Sequence, residues 1–189
     1  PLHGAFRLLP DGAIPRAQGE RLAELLRPGE TARAITGRAV AGTLVAPGGV
    51  GKSVLALMFM LDCDTRRAFP DGLFWLEFGQ TPDVATLQAQ VGVAFGGDLN
   101  DYRDAAASKA SLQRLLQGCK ALLVLDDVWD RLALEAFDVM GPRGRIIMTT
   151  RRAANLSAIE ATAIELDSLV GDAARQVLAD HAHVDDIAT

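Results

Sequence analysis

Short apolar runs alternate with helical patterns along the chain, an arrangement typical of a parallel sheet with helices on its faces. Five runs have the composition of buried strands, at residues 39–45, 73–78, 121–125, 145–149 and 161–166. Helices are predicted at residues 17–26, 52–62, 81–93, 104–117 and 172–183. The third helix is predicted to begin with Thr81 as its N-cap and Pro82 as its first residue. The pattern therefore predicts an α/β fold with a five-stranded parallel sheet.

The composition is that of one ordered domain of 189 residues, with 49% hydrophobic and 23% charged residues. Within it, residues 1–30 are predicted to be a lead-in ending in the first helix, and residues 31–189 the core domain. A net charge of -5 argues against a broad surface for nucleic acid. The longest apolar run, residues 54–61, is far shorter than the ~20 residues that cross a membrane. Two widely separated cysteines and no basic-then-apolar leader predict a cytoplasmic protein.

The first predicted strand is followed by Ala-Pro-Gly-Gly-Val-Gly-Lys-Ser, residues 46–53, which opens the next helix. Glycines allow successive backbone N–H groups to converge on phosphate oxygens, and the helix N-terminus adds partial positive charge. Lys52 is predicted to reach the β- and γ-phosphates from the surface of the site, and the Ser53 hydroxyl to ligate Mg²⁺. This is a Walker A loop in which Ala46 replaces the first glycine. The predicted nucleotide-binding residues are Gly48, Gly49, Val50, Gly51, Lys52, Ser53 and Val54.

An acidic pair ends the third predicted strand, where Asp126 and Asp127 follow the apolar residues 122–125. Carboxylates at the carboxyl end of a buried strand face the crevice where α/β sheets bind ligands. Asp126 is predicted to hold Mg²⁺, and Asp127 to orient or deprotonate an attacking water. Two Asp residues after an apolar run also occur in ordinary turns, but the preceding Walker A loop favours the catalytic interpretation.

A candidate phosphate sensor, Arg151, follows the fourth predicted strand at the same edge of the sheet. A guanidinium there can contact a γ-phosphate and report its presence, and a solvated arginine at a strand end is the alternative. Trp129 is predicted to pack under the acidic pair rather than to stack on a ligand.

These motifs together resemble the NB-ARC domains of signal-transduction (STAND) NTPases, a family that includes apoptotic protease-activating factor, plant disease-resistance proteins and bacterial regulators. The resemblance is carried by residues 48–53, 123–129 and 148–151. Residues 69–76 look like the family's second strand, and residues 129–138 are especially similar to the apoptotic member. The resemblance covers nearly the whole chain. It implies a three-layer P-loop NTPase with the sensor strand between the P-loop strand and the Walker B strand.

The resemblance also implies ATP or ADP and Mg²⁺ as cofactors, with an adenine pocket to which Ile14 and Arg16 contribute from the lead-in. Family members continue into a helical lid and a winged-helix domain, which we expect to lie outside this chain, a segment of a larger protein. Self-oligomerisation of the full-length protein is implied as well. Effector and sensor domains are expected outside this chain, and neither a membrane nor nucleic acid is expected as a partner of this segment.

The resemblance favours an ATP/ADP switch that controls oligomerisation and activation of an attached effector, with slow Mg²⁺-dependent hydrolysis. A P-loop ATPase engine of AAA+ or transport type is the alternative, and it would show sustained turnover. A scaffold that binds nucleotide without hydrolysing it has no use for the second carboxylate, Asp127, which argues against that function.

Overall fold

A computed structural model describes residues 2–4, 8–10, 13–27, 40–129, 131–151, 161–169, 171–172, 174–175 and 177. These residues form six strands, β1 (Leu2–Gly4), β2 (Val40–Val45), β3 (Gly72–Glu77), β4 (Ala121–Val128), β5 (Arg145–Thr150) and β6 (Ala161–Glu165). They also form the helices α1 (Ala17–Leu26), α2 (Lys52–Leu61), α3 (Cys63–Ala68), α4 (Val84–Ala94), α5 (Ala105–Leu116) and α6 (Arg131–Glu135), and a short 3-10 helix, Leu99–Tyr102. Most of the helix predicted at residues 172–183 lies outside the described residues.

All six strands lie in one parallel sheet in the order β1-β3-β4-β5-β2-β6. The predicted fold class is confirmed, and so is the position of the sensor strand, because β5 pairs with the Walker B strand β4 on one side and the P-loop strand β2 on the other. Leu44 pairs with Thr149, and Leu125 with Met148. The carboxyl ends of these three strands therefore meet at one edge of the sheet.

The predicted count of five strands was wrong, because the lead-in contributes a sixth, β1, at the sheet edge. Leu2 pairs with Leu73 and Gly4 with Trp75, both in parallel register. The ring of His3 stacks on that of Phe74 at 4.6 Å between centroids. Gly4 has φ 101°, and a Cβ there would lie 2.1 Å from the Trp75 carbonyl oxygen. A three-residue strand of this kind has no hydrophobic pattern long enough to predict it.

Helix α4 begins two residues later than its predicted first residue, Pro82. Its N-cap is Asp83, whose carboxylate accepts hydrogen bonds from the Thr86 backbone N–H at 3.1 Å and from the Thr86 hydroxyl at 2.7 Å. Because the Asp83 carboxylate accepts both of these hydrogen bonds, the helix is capped by Asp83 and not by Thr81, two residues earlier.

The apolar residues of the central strands divide between two cores, one on each face of the sheet. Leu122 and Val124 pack with α1 and α2, whereas Leu123 and Leu125 pack with α4 and α5. Burial on both faces explains why β4 is a continuous apolar run rather than an alternating one. The three-layer arrangement holds the loops at the carboxyl ends of the strands on a rigid base. Among the described residues, no helix is long and apolar enough to cross a membrane.

Candidate functional site

The Walker A loop joins the end of β2 to the first residue of α2. Gly49 (φ 80°) and Gly51 (φ 95°) adopt the left-handed conformation that glycine tolerates best. Gly51 is also the N-cap of α2 and has no side chain with which to satisfy the first N–H groups of the helix. These N–H groups can therefore serve an anion at the helix N-terminus.

Lys52 lies deeper than the sequence predicted, because the residue is only 7% exposed. Its ammonium donates hydrogen bonds to the carbonyl oxygens of Ala46 and Pro47, both at 2.8 Å. The loop thus wraps around the side chain, and its carbonyl groups replace water. Burial lowers the pKa of Lys52 below its usual value, the charge of Arg151 lowers it further, and the two Asp residues oppose these effects.

Ser53 and Asp126 meet beneath the loop. The Ser53 hydroxyl donates to Asp126 Oδ1 at 2.7 Å, and Asp126 is 5% exposed. A hydroxyl and a carboxylate are oxygen donors of the kind that Mg²⁺ prefers. The described residues contain no cluster of three His, Cys, Asp or Glu side chains that could hold a metal alone. The pair fits a Mg²⁺ ion that takes its remaining ligands from water and from phosphate oxygens, as Mg²⁺ commonly does.

The two carboxylates of the acidic pair face different surroundings, and they lie where β4 is irregular. The register of β4 on β5 shifts between Leu125 and Val128, and Asp127 has a left-handed φ of 54°. The Asp127 side chain is 34% exposed, in contrast to the buried Asp126. The chain thus presents one carboxylate to the Walker A loop and the other to solvent.

Thr149, to which the sequence motifs assign no role, joins this irregular segment to β5. Its hydroxyl accepts a hydrogen bond from the Asp127 N–H at 2.9 Å and donates one to Asp126 Oδ1 at 2.6 Å. The neighbouring Thr150 hydroxyl donates to the Val128 carbonyl at 2.8 Å. The signal in the sequence was two consecutive hydroxyl residues at the end of a buried strand, next to a strand that ends in carboxylates.

Arg151 lies between the Walker A loop and the acidic pair. Its Nε is 3.5 Å from Asp127 Oδ1, and its guanidinium lies 5.1 Å from the centroid of the Trp129 ring. A Cβ on Gly48 would be 2.9 Å from Arg151 Nη1, so the missing side chain at Gly48 leaves room for the guanidinium. Half-buried Trp129 thus supports Arg151 from one side.

The predicted adenine contact Arg16 lies directly before α1, as its N-cap residue. Its guanidinium donates to the Val50 carbonyl at 2.7 Å and to the Asp167 carbonyl at 2.9 Å. Arg16 therefore connects the Walker A loop to the segment that follows β6. Ile14 is half-buried two residues earlier. An adenine contact by Ile14 or Arg16 stays a prediction.

The remaining loop residues differ in exposure. Gly48 and Gly49 are exposed, whereas Val50, Gly51, Ser53 and Val54 are partly buried. The structure thus brings the Walker A loop, the acidic pair and Arg151 to one edge of the sheet, with Arg16 against the loop.

Comparison with known proteins places this site in a family. The model of the NB-ARC domain matches residues 34–186. Apoptotic protease-activating factor 1 of Danio rerio is 28% identical over 135 residues, which are 66% of this chain and 10% of that protein. The disease resistance protein RGA2 of Solanum bulbocastanum is 30% identical over 124 residues, which are 63% of this chain and 13% of that protein.

Among solved structures, a Signal Transduction ATPase with Numerous Domains (STAND) protein with a tetratricopeptide repeat sensor, from Pyrococcus horikoshii, has a similar fold. Its TM-score is 0.50 at 18% identity, over 90% of this chain and 25% of that chain. This chain belongs to the NB-ARC domain family. It spans only 10% and 13% of the lengths of the two curated relatives.

Proposed function

We propose that this NB-ARC domain is an ATP/ADP switch that hydrolyses ATP slowly with Mg²⁺. In the full-length protein, the bound nucleotide controls oligomerisation and thereby activation of an attached effector. The observation that carries the proposal is the meeting of three parts at one sheet edge: the Walker A loop, the Ser53–Asp126 pair at 2.7 Å, and Arg151 between Asp127 and Gly48.

The phosphates would bind at the N-terminus of α2, where Gly49, Gly51 and the first helical N–H groups form the anion site. Lys52 would exchange its two carbonyl partners for phosphate oxygens, which are stronger acceptors because they are charged. Ser53 and Asp126 would hold Mg²⁺, and the ion would supply neutralisation of phosphate charge. Asp127, half-open to solvent, would orient the attacking water.

The pairing of Arg151 with Asp127 supports a switch that responds to the γ-phosphate. As long as this ion pair is intact, Asp127, the carboxylate that would orient water, is paired with the Arg151 guanidinium. Both side chains are partly exposed, at 48% and 34%, and such a pair is worth about 0–1 kcal/mol. A charge-assisted hydrogen bond to a phosphate is worth about 1.5–3 kcal/mol. A γ-phosphate would therefore draw Arg151 from Asp127, and ADP would leave the pair in place.

The names of the relatives support a signalling role. They concern apoptosis and disease resistance, and the solved STAND protein carries a tetratricopeptide repeat sensor. Because the chain spans a small part of each relative, we place the trigger and the effector in other segments of the full-length protein. We likewise propose that a lid over the nucleotide belongs to those segments.

The test is titration of the 189-residue chain with ADP and with a non-hydrolysable ATP analogue, with and without Mg²⁺, by calorimetry, together with ATP turnover. We expect one site per chain, tighter analogue binding with Mg²⁺, and turnover well below the ~1–10³ s⁻¹ of typical enzymes. Absence of binding by either nucleotide would refute the proposal. Sustained ATP turnover at about 1 s⁻¹ or faster would favour the alternative, a P-loop ATPase engine, over the switch.

A further inference from the structure

The hydroxyl of Thr149, on β5, forms a hydrogen bond with each residue of the acidic pair. Thr149 is fully buried, and its Oγ1 accepts from the Asp127 N–H at 2.9 Å while donating to Asp126 Oδ1 at 2.6 Å. The hydroxyl carries a single proton, and because its oxygen accepts from the Asp127 N–H, that proton is the one donated to Asp126.

The hydrogen bond to the Asp127 N–H matters because that residue is in an unusual conformation. A left-handed φ of 54° costs free energy for any residue with a Cβ, although Asp tolerates it better than most. This conformation directs the Asp127 side chain away from the regular alternation of β4. Its backbone N–H is satisfied by Thr149 instead of by the ladder. Without the hydroxyl, the N–H loses that partner and the segment loses a restraint on the direction of the carboxylate.

The hydrogen bond to Asp126 acts on the other carboxylate. Asp126 Oδ1 accepts two hydroxyl protons, one from Ser53 and one from Thr149. Two donors on one oxygen, from different elements, restrict the rotation of the buried side chain. Thr149, a residue of the sensor strand, thus helps to fix the position of the Asp126 carboxylate that pairs with Ser53.

We propose that Thr149 is a positioning residue that sets both the Mg²⁺-holding carboxylate and the water-orienting carboxylate. The proposal rests on the function proposed above, since it assigns Thr149 a role toward the same nucleotide site. Thr149 acts through Asp126 and Asp127. The chain offers a matched control in Thr150, which is equally buried but whose hydroxyl donates to the Val128 carbonyl.

The experiment compares Thr149→Val, Thr149→Ala and Thr149→Ser with Thr150→Val in the 189-residue chain. A non-hydrolysable ATP analogue is titrated with and without millimolar Mg²⁺, and the gain in affinity due to Mg²⁺ is the readout. We expect Thr149→Val to reduce that gain about tenfold, the loss of roughly one hydrogen bond to a charged group. Affinity without Mg²⁺ should stay within about threefold of wild type, because backbone N–H groups and Lys52 supply it. Thr149→Ser should restore the gain, and Thr150→Val should leave it unchanged.

A second readout needs no nucleotide. Hydrogen exchange of the Asp127 amide should be faster than in wild type in Thr149→Val and Thr149→Ala. In Thr149→Ser and Thr150→Val its rate should equal that of wild type. Thr149→Ala provides the comparison if the valine variant does not fold. An unchanged Mg²⁺ gain in both variants lacking the hydroxyl would overturn the role of Thr149 alone. Equal loss of affinity with and without Mg²⁺ would also overturn it, since that is the result of a merely structural role. If wild type binds no nucleotide, the function proposed above fails, and this role fails with it.

Discussion

Substitution of Lys52 by Met tests two consequences of a side chain that is both buried and charged, one for nucleotide affinity and one for the free energy of unfolding. Methionine keeps the length and apolar stem of lysine but has no ammonium to place on phosphate oxygens. In the proposed function, Lys52 would give up two carbonyl hydrogen bonds of 2.8 Å on binding, so only the difference between the phosphate and carbonyl interactions would contribute to affinity. With charged acceptors we take this difference as about 2–3 kcal/mol, which is about 30–150-fold in Kd.

Calorimetric titration with ADP and with a non-hydrolysable ATP analogue measures the loss. The control is Lys120→Met, which removes an exposed lysine just before β4, at the opposite end of that strand from Asp126. We expect the control to bind as wild type does. Unchanged affinity in Lys52→Met would refute the assignment of the Walker A lysine.

The same variant tests the burial of the charge through the pH dependence of stability. Burial and the charge of Arg151 lower the pKa of Lys52 from 10.5, so between the folded-state pKa and 10.5 the unfolded chain binds more protons. Wild-type stability therefore gains from this group as the pH rises through that window. Lys52→Met lacks this gain. Its free energy of unfolding relative to wild type, within about 1 kcal/mol at pH 7, should fall as the pH approaches 10. Urea unfolding at several pH values measures this, and a flat or rising difference would contradict a desolvated ammonium.

Four further substitutions test separate parts of the structure. Asp127→Asn should slow ATP turnover about tenfold or more and leave nucleotide binding unchanged, since asparagine tolerates the left-handed conformation. Asp126→Asn should instead weaken Mg²⁺-dependent binding. Equal effects of the two variants on turnover and on binding would contradict the division of roles. Arg16→Met should weaken ADP binding about tenfold with or without Mg²⁺, because the Val50 carbonyl loses its restraint; calorimetry checks this, and unchanged affinity would show that the contact is dispensable. Thr43→Val should raise the free energy of unfolding in urea by about 1 kcal/mol, because the buried Thr43 hydroxyl has no hydrogen-bond partner among the described residues; a loss of stability would indicate a partner.

The fold was predictable because its central strands are covered on both faces. Continuous apolar runs such as residues 121–125 specify a buried parallel strand, and all five predicted strands are present. The position of the sensor strand between the P-loop and Walker B strands came from a different source, the resemblance to a family, because hydrophobic pattern carries no information about which strands pair. The loop and acidic-pair motifs were visible for a related reason: phosphate binding requires particular residue types at fixed spacing.

Contacts between distant segments were not predictable from pattern. The strand β1 is three residues long, and its pairing depends on Gly4 approaching the backbone of Trp75. Arg16 contacts carbonyl groups 34 and 151 residues away, and any residue can supply a carbonyl. The burial of Lys52 has the same cause, since its partners are backbone oxygens of its own loop. Because every residue has a backbone carbonyl, the sequence does not show which of them will accept a side-chain hydrogen bond.

The order of the strands also explains how the proposed sensing of the γ-phosphate and the proposed catalysis could be coupled in one small site. Because β5 lies between β2 and β4, its last residues are the only ones in the described sheet whose strand adjoins both the Walker A strand and the Walker B strand. From that position Thr149 contacts Asp126 and Asp127, and Arg151, directly after the strand, reaches Asp127 beside Gly48. A side chain at the end of β3, such as Glu77, pairs in register with Asp126 but is two strands further from the P-loop strand than β5 is. In the proposed function, a γ-phosphate that moves Arg151 would therefore act on Asp127 through their direct contact, without any change in the sheet itself.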